Sequence, residues 1–410
     1  RHLARHLLAE GEIGVEIGEP AQIGLLFALG RSVDVFPEQD LARHFAELGA
    51  RHRVDGETGA EDDEIRHVGG AVGEEHLDRV AALLDQTEHP CGACGAKVAQ
   101  APLLQGLAEA TSTAMSLDDA AIVKTGDRTE VFSTDHLRAF NSDAYTLAKV
   151  AAIHALGDIW SMGGRPRTVL SQIILPPLAP SKQREMIREI AAGAGEVFEA
   201  AGTRIVGGHT SSGQELTIGF SISGAVERDP ITQAGASASD VLVLTKPIGT
   251  GVVLAAEMRQ LADGNDYQAT LTIMCRLQVA ASKILAGSAT AMTDVTGFGL
   301  AGHLLNILDG SGLSARLNLA DIPILPGAES LNADGVRSTL WRANADQRSR
   351  ISNAVSDRAD LLFDPQTCGG MLASIPADRA QQVIDAFAAI EEPIWKIGTL
   401  ADGPPQIELL

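Results

Sequence analysis

Long apolar runs are missing from this chain: stretches such as Val150 to Leu156 stop far short of the ~20 residues a membrane helix needs. Basic residues are scarce as well. The 32 Lys and Arg stand against 53 Asp and Glu, a formal charge of −21 that argues against binding nucleic acid through a broad basic surface. A phosphate ligand stays open, because metal ions and backbone N–H groups neutralise phosphate locally. Cysteine is rare: four in 410 residues make no disulfide framework, and a reducing cytoplasm is the expected setting. No basic patch followed by an apolar core opens the chain, so no secretory signal is read there. What is present is 45% apolar residues with a mean hydropathy near zero. That is the composition of a globular protein long enough for two or three domains.

Residues 1–90 differ from the rest. They contain no Lys, seven of the eleven His and the acidic run Glu61-Asp62-Asp63-Glu64, and they begin at Arg1. Ile23 to Gly30 reads as a strand or a short helix, and Glu74 to Gln86 has helical spacing at Leu77, Val80, Ala81 and Leu84. No chemical motif emerges, and the segment is left unassigned, a fusion remnant or disordered. From Cys91 the pattern becomes regular. A hairpin is expected around Gly126-Asp127, a helix over Ser142 to Met162, a strand over Val169 to Leu175 and a helix over Ser181 to Ala201 with Ser181 as N-cap. Ile205-Val206 and Leu216 to Val226 read as strands, and a second unit opens near Asp229-Pro230. It carries a strand over Val241 to Thr245, helices over Gly251 to Leu261 and Asp266 to Leu285, and a strand ending at Asp294. Strand–helix alternation with an antiparallel hairpin implies a mixed α+β and α/β architecture, with domains over 91–230 and 231–410.

Short motifs punctuate this region: CGACGAK (Cys91 to Lys97), LDDAA (Leu117 to Ala121), STDH (Ser133 to His136), ALGDIWSMGG (Ala155 to Gly164), GGHT (Gly207 to Thr210), DVTGFG (Asp294 to Gly299) and DPQTCGG (Asp364 to Gly370). Asp118, Asp119, Asp135, Asp158 and Asp294 are assigned to positions at or near strand ends, turns or helix ends, where folding can gather them as ligands of a hard cation that accompanies phosphate. Each alone is an ordinary turn residue; the set is harder to explain that way. GGHT reads as a turn after a strand, its glycine N–H groups offered to phosphate and Glu215 facing the same site. In CGACGAK, Lys97 can lower a thiol pKa and reach a phosphate. Half of a zinc site, a dithiol redox pair and a single nucleophilic thiol all fit that loop, zinc least because Cys275 and Cys368 stand alone. His303, on a helix beginning near Leu300, and Cys368 read as structural. The sum is a nucleotide-using phosphotransfer enzyme with an activated thiol.

With LTKPIGTG (Leu244 to Gly251) and AMTDVTGFGLAGH (Ala291 to His303) added, the order and spacing of these motifs over about 91–397 resemble the selenophosphate synthetase family. The resemblance implies a two-domain fold like that of aminoimidazole ribonucleotide synthetase, an N-terminal α+β domain that pairs its sheet with a second subunit, and a C-terminal α/β domain. It implies Mg²⁺-dependent conversion of ATP, selenide and water to selenophosphate, AMP and orthophosphate by a homodimer, with no nucleic acid or membrane partner. Cys94 matches the catalytic cysteine and Lys97 the essential, ATP-contacting lysine. Asp119, Asp158 and Asp294 match the metal ligands, with Asp135 and Asp158 near ATP. Ser116, Leu117 and Asp118, and Gly208, His209 and Thr210, match nucleotide-contacting segments, the latter reaching across the dimer. The chain departs from the pattern at Ala96, where a second thiol is common, and at Cys368, where Ser or Ala is usual. STDHLRAF and GVRSTLWRANA look most like members fused to an NADH-dehydrogenase-like flavin domain, yet residues 1–90 hold no G-x-G-x-x-G fingerprint. Two alternatives stay open: another ATP-dependent small-molecule kinase or synthetase of the same fold, and a dithiol redox or metal-binding protein.

Overall fold

A computed structural model describes residues 13–17, 23–29, 32–35, 92–93, 97–98, 103 and 118–410. The chain divides into two units, Arg1–His89 and Pro90–Leu410. In the first, β1 (Ile13–Ile17), β2 (Ile23–Leu29) and β3 (Ser32–Val35) form an antiparallel sheet in that order. The segment from Ile23 is thus a strand, and the helical spacing of Glu74 to Gln86 lies outside the described residues.

The second unit holds two sheets. The first has the order β4-β5-β8-β6-β7, from β4 (Ala121–Thr125), β5 (Arg128–Arg138), β6 (Arg165–Leu175), β7 (Ile205–Ser212) and β8 (Thr217–Ala225). The β4–β5 hairpin turns at Gly126, whose φ of 62° is costly for a residue with a Cβ. Period-two alternation buries Val131, Leu137, Val169, Ile173, Ile218, Phe220 and Ile222 on one face. Two helices cover that face, α1 (Ala144–Ser161) and α2 (Pro180–Ala200). Asp143 caps α1 through the Tyr145 N–H. α1 is buried on nearly every side, as an apolar helix between two layers must be. Among the described residues, Phe132, Leu170 and Ile174 are exposed on the opposite face of the sheet.

The second sheet has the order β10-β13-β9-β14-β11-β15-β12 and is mostly antiparallel, β15 running parallel to β11 and β12. Its strands are β9 (Val241–Leu244), β10 (Ala291–Asp294), β11 (Leu313–Leu317), β12 (Ile351–Ser352), β13 (Met371–Ile375), β14 (Trp395–Asp402) and β15 (Ile407–Leu409). Helices α3 (Thr250–Met258), α4 (Gly264–Met274), α5 (Val279–Ala286) and α6 (Gly299–Ser311) accompany it. The four-residue β9 and β10 are buried at every position, the pattern of strands covered on both faces.

Three local expectations are corrected. The second-unit helix expected over Asp266 to Leu285 breaks between Met274 and Val279. Ser181 is not an N-cap; Ala179 holds that place and Pro180, with φ preset, starts the helix. GGHT is no turn: it lies within β7, paired in parallel with β6. No single described helix is long and apolar enough to cross a membrane.

Candidate active site

The carboxylates meet where α1, the first sheet and the end of β10 converge. Asp135 lies three residues before the end of β5 and Asp158 three before the end of α1, near element ends as expected; Asp294 closes β10 and Asp119 precedes β4. With Lys97, Asp118, Ser133, Gln233, Thr296 and His303 they line a cleft of about 340 Å³. A larger cavity of about 960 Å³, around Arg165, Asp229 and Lys283, contains none of the motif aspartates.

Each carboxylate is held differently. Lys97 Nζ lies 2.8 Å and His154 Nε2 3.0 Å from Asp135 Oδ2. Burial works against the Asp135 charge, but these two neighbours outweigh it and hold the carboxyl well below its ordinary range. Asp158 accepts from the Ser133 hydroxyl; burial, then the charges of Asp135 and Asp119, push it up to about 7. Asp119 Oδ1 accepts from Gln233 Nε2 at 2.9 Å and Thr293 Oγ1 at 2.8 Å, while burial raises its pKa to about 6. Asp294, buried beside Asp158 and Asp119, is raised well above the usual carboxylate range. A Cβ at residue 157 would collide with Asp294 Oδ2, so Gly157 is what lets this carboxylate from the second sheet lie against the helix that carries Asp158.

The donor set suits a hard cation. Three carboxylates that burial and mutual repulsion leave reluctant to ionise are the groups a divalent ion relieves. Asp119 Oδ2 is out of reach of solvent and accepts no hydrogen bond. Among the described residues, however, no three His, Cys, Asp or Glu side chains converge tightly enough to cage an ion by themselves. That arrangement fits Mg²⁺, which keeps waters and takes one or two carboxylates together with substrate phosphates.

Around the cleft the Gly-rich motifs act as scaffolding. Gln366 Oε1 accepts from Gly249 N at 2.9 Å and Thr250 N at 3.1 Å, and Asp364 Oδ2 accepts from Gly251 N at 2.9 Å. DPQTCGG thus caps the start of α3, occupying with its own side chains a helix N-terminus that could otherwise bind phosphate. Fully buried Lys246 donates to Cys368 O at 3.0 Å, and burial lowers its pKa to about 8. Cys368 is buried, as expected, and its N–H donates to His154 Nδ1 at 3.4 Å. From GVRSTLWRANA, Asn344 Nδ2 donates to Gly297 O and Phe363 O, each at 2.9 Å, tying the DVTGFG turn to the residues before DPQT.

Some expected residues stand apart from the cleft. Gly208, His209 and Thr210 are on β7, with β6 and β8 between them and Asp135; at ~4.8 Å per strand that is roughly 14 Å. Glu215 pairs with Arg138 at the surface and does not line the cleft. Cys91, Cys94, Ser116 and Leu117 lie outside the described residues, although Lys97 is described. Sequence reasoning missed His154, Gln233 and Thr293. For His154 a signal existed, since it precedes Asp158 by four residues and so shares its side of α1.

Two family profiles match in tandem: AIR synthase related protein, N-terminal domain, over 117–226, and AIR synthase related protein, C-terminal domain, over 237–408. The chain is 34% identical over 349 residues to the selenide, water dikinase of Bordetella bronchiseptica, covering 80% of this chain and 98% of that protein. It is 32% identical over 358 residues to the one of Myxococcus xanthus, covering 83% and 100%. Among solved structures, AaThiL complexed with AMPPCP and TMP aligns with a TM-score of 0.58 at 16% identity, covering 76% of this chain and 93% of that one. Escherichia coli HypE, a hydrogenase maturation protein, aligns with a TM-score of 0.53 at 20% identity, covering 69% and 82%. At these identities the solved structures share the fold alone.

Proposed function

The chain belongs to the selenide, water dikinase family, and from that premise we propose that it converts ATP, selenide and water to selenophosphate, AMP and orthophosphate. The observation that carries this reading is the meeting of Lys97 from the Cys-containing loop with the aspartates of four other segments in one cleft. Lys97, held by Asp135, is the cation that would meet the ATP phosphates, and Asp118 lines the same cleft.

Asp119, Asp158 and Asp294 would hold Mg²⁺, which when bound neutralises charge on the transferring phosphoryl group. Asp135 and His154 fix Lys97 at the cleft, and Gly297 leaves room for the Lys97 stem, since a Cβ there would lie 2.9 Å from its Cδ. Selenide is a strong nucleophile that scarcely needs a general base, so the chain's task is to hold it in line and keep water away during the first transfer. Cys94, three residues before Lys97, delivers or holds selenium. Hydrolysis of the remaining nucleoside diphosphate by water then gives AMP and orthophosphate.

The partner is a second copy of the chain. The face of the first sheet opposite α1 and α2 carries Leu170, 49% exposed, and Phe132, 41% exposed, and the edge strand β7 is exposed along most of its length. Pairing there would shield these side chains and bring His209 of β7 toward the other subunit's cleft. Chromatography of nucleotides after turnover tests the reading: selenide-dependent AMP supports it. ADP as the only product, with or without selenide, would make the chain another kinase of this fold.

A further inference from the structure

Behind Asp119 stands a relay that the reaction chemistry does not use directly. His303, on α6, is buried and its ring has a defined partner on each nitrogen. Thr296 N donates to Nε2 at 3.0 Å, so the ring proton belongs on Nδ1. Nδ1 lies 3.2 Å from Thr293 Oγ1 and donates to it. The Thr293 hydroxyl proton is then directed at Asp119 Oδ1, 2.8 Å away; its other acceptor, Asp294 O, is farther at 3.3 Å. Burial, reinforced by Lys97 and His154, pushes the His303 pKa down to about 3, which keeps the ring neutral and the direction of the relay fixed. With Gln233 Nε2 also on Oδ1, one oxygen of Asp119 is doubly occupied, and Oδ2 accepts no hydrogen bond of ordinary geometry although the Ser161 side chain interacts with the same carboxylate.

We propose that His303 and Thr293 are positioning residues for the metal: the relay Thr296 N–H to His303 to Thr293 to Asp119 engages Oδ1 and presents Oδ2 as the ligand atom. The inference rests on the reading that Asp119 holds the divalent ion. Two buried neutral residues on separate elements, β10 and α6, thereby set the orientation of a carboxylate contributed by the first domain. Outer partners of this kind typically change metal affinity by about 10–100-fold.

The test is Mn²⁺ binding to nucleotide-free full-length protein, followed by the electron paramagnetic resonance signal of the free ion. Thr293→Val keeps the shape and removes the hydroxyl, and it should weaken Mn²⁺ binding about tenfold or more. Thr293→Ser, which keeps the hydroxyl, should bind within about threefold of wild type, a rescue that a purely packing role for the methyl group would not give. His303→Leu should weaken binding similarly, and the double variant should be no worse than Thr293→Val alone, because both act through one relay. Wild-type affinity in folded Thr293→Val, or additive losses in the double variant, would overturn the proposal. Absence of saturable Mn²⁺ binding by the wild type, both without nucleotide and with a saturating non-hydrolysable ATP analogue, would instead sink the metal reading of the carboxylates.

Discussion

Asp158→Asn should make the metal-free protein more stable while destroying its function. Burial, then the charges of Asp135 and Asp119, raise the Asp158 carboxyl from 3.8 to about 7. A carboxyl raised in the folded state keeps a proton that the unfolded chain has released. Between about pH 4 and pH 7 the folded protein therefore binds more protons, and stability falls as pH rises through that window. At pH 8 the full shift corresponds to on the order of 4 kcal/mol at about 1.36 kcal/mol per unit. Asp119 and Asp294 share the repulsion, and a buried amide has a desolvation cost of its own, so a net gain of about 2 kcal/mol is expected. At about 2 °C per kcal/mol in a chain of this size, Tm should rise about 4 °C at pH 8 in chelator and hardly at all at pH 5. With a non-hydrolysable ATP analogue present at pH 8, adding Mg²⁺ should stabilise the wild type further and leave Asp158→Asn unmoved. Thermal denaturation at the two pH values, with and without Mg²⁺, reads all four quantities. A variant less stable than wild type at pH 8 in chelator, or one still protected by Mg²⁺, would refute the reasoning.

Cys94→Ser should abolish selenide-dependent turnover and leave ATP affinity nearly unchanged by calorimetry; full activity would remove that thiol from the mechanism. Gly157→Ala should displace the Asp294 carboxylate it would collide with, destabilising by about 1–3 kcal/mol and cutting turnover at saturating ATP. Wild-type kinetics in that variant would contradict the packing of Asp294 on α1. Leu170→Asp combined with Phe132→Asp, on the sheet face opposite α1 and α2, should shift sedimentation from dimer to monomer, and an unchanged dimer would put the interface elsewhere.

Much of the fold and site was legible because turn and carboxylate motifs are local. The hairpin at Gly126, the buried α1 and the start of α6 follow from short-range chemistry, and each agrees with its motif. What escaped depends on contacts far along the chain. Gln233 reaches Asp119 across 114 positions and Thr293 across 174, and no spacing rule links residues so distant. GGHT misled because paired glycines resemble a turn; here they sit in an edge strand, where glycine is tolerated. The Asp and Gln side chains of DPQTCGG cap α3 across 113 and 117 positions, a pairing no local pattern shows. His303 read as structural from sequence, and its burial agrees; its hydrogen bonds to Thr293 and Thr296 give that burial a direction.

The most direct test of the central claim is phosphorus NMR of purified protein turning over ATP and Mg²⁺ under anaerobic conditions, with and without selenide. The account predicts AMP, orthophosphate and a phosphate resonance split by coupling to selenium, all dependent on selenide. Turnover indifferent to selenide, with no selenium-coupled phosphorus, would contradict it.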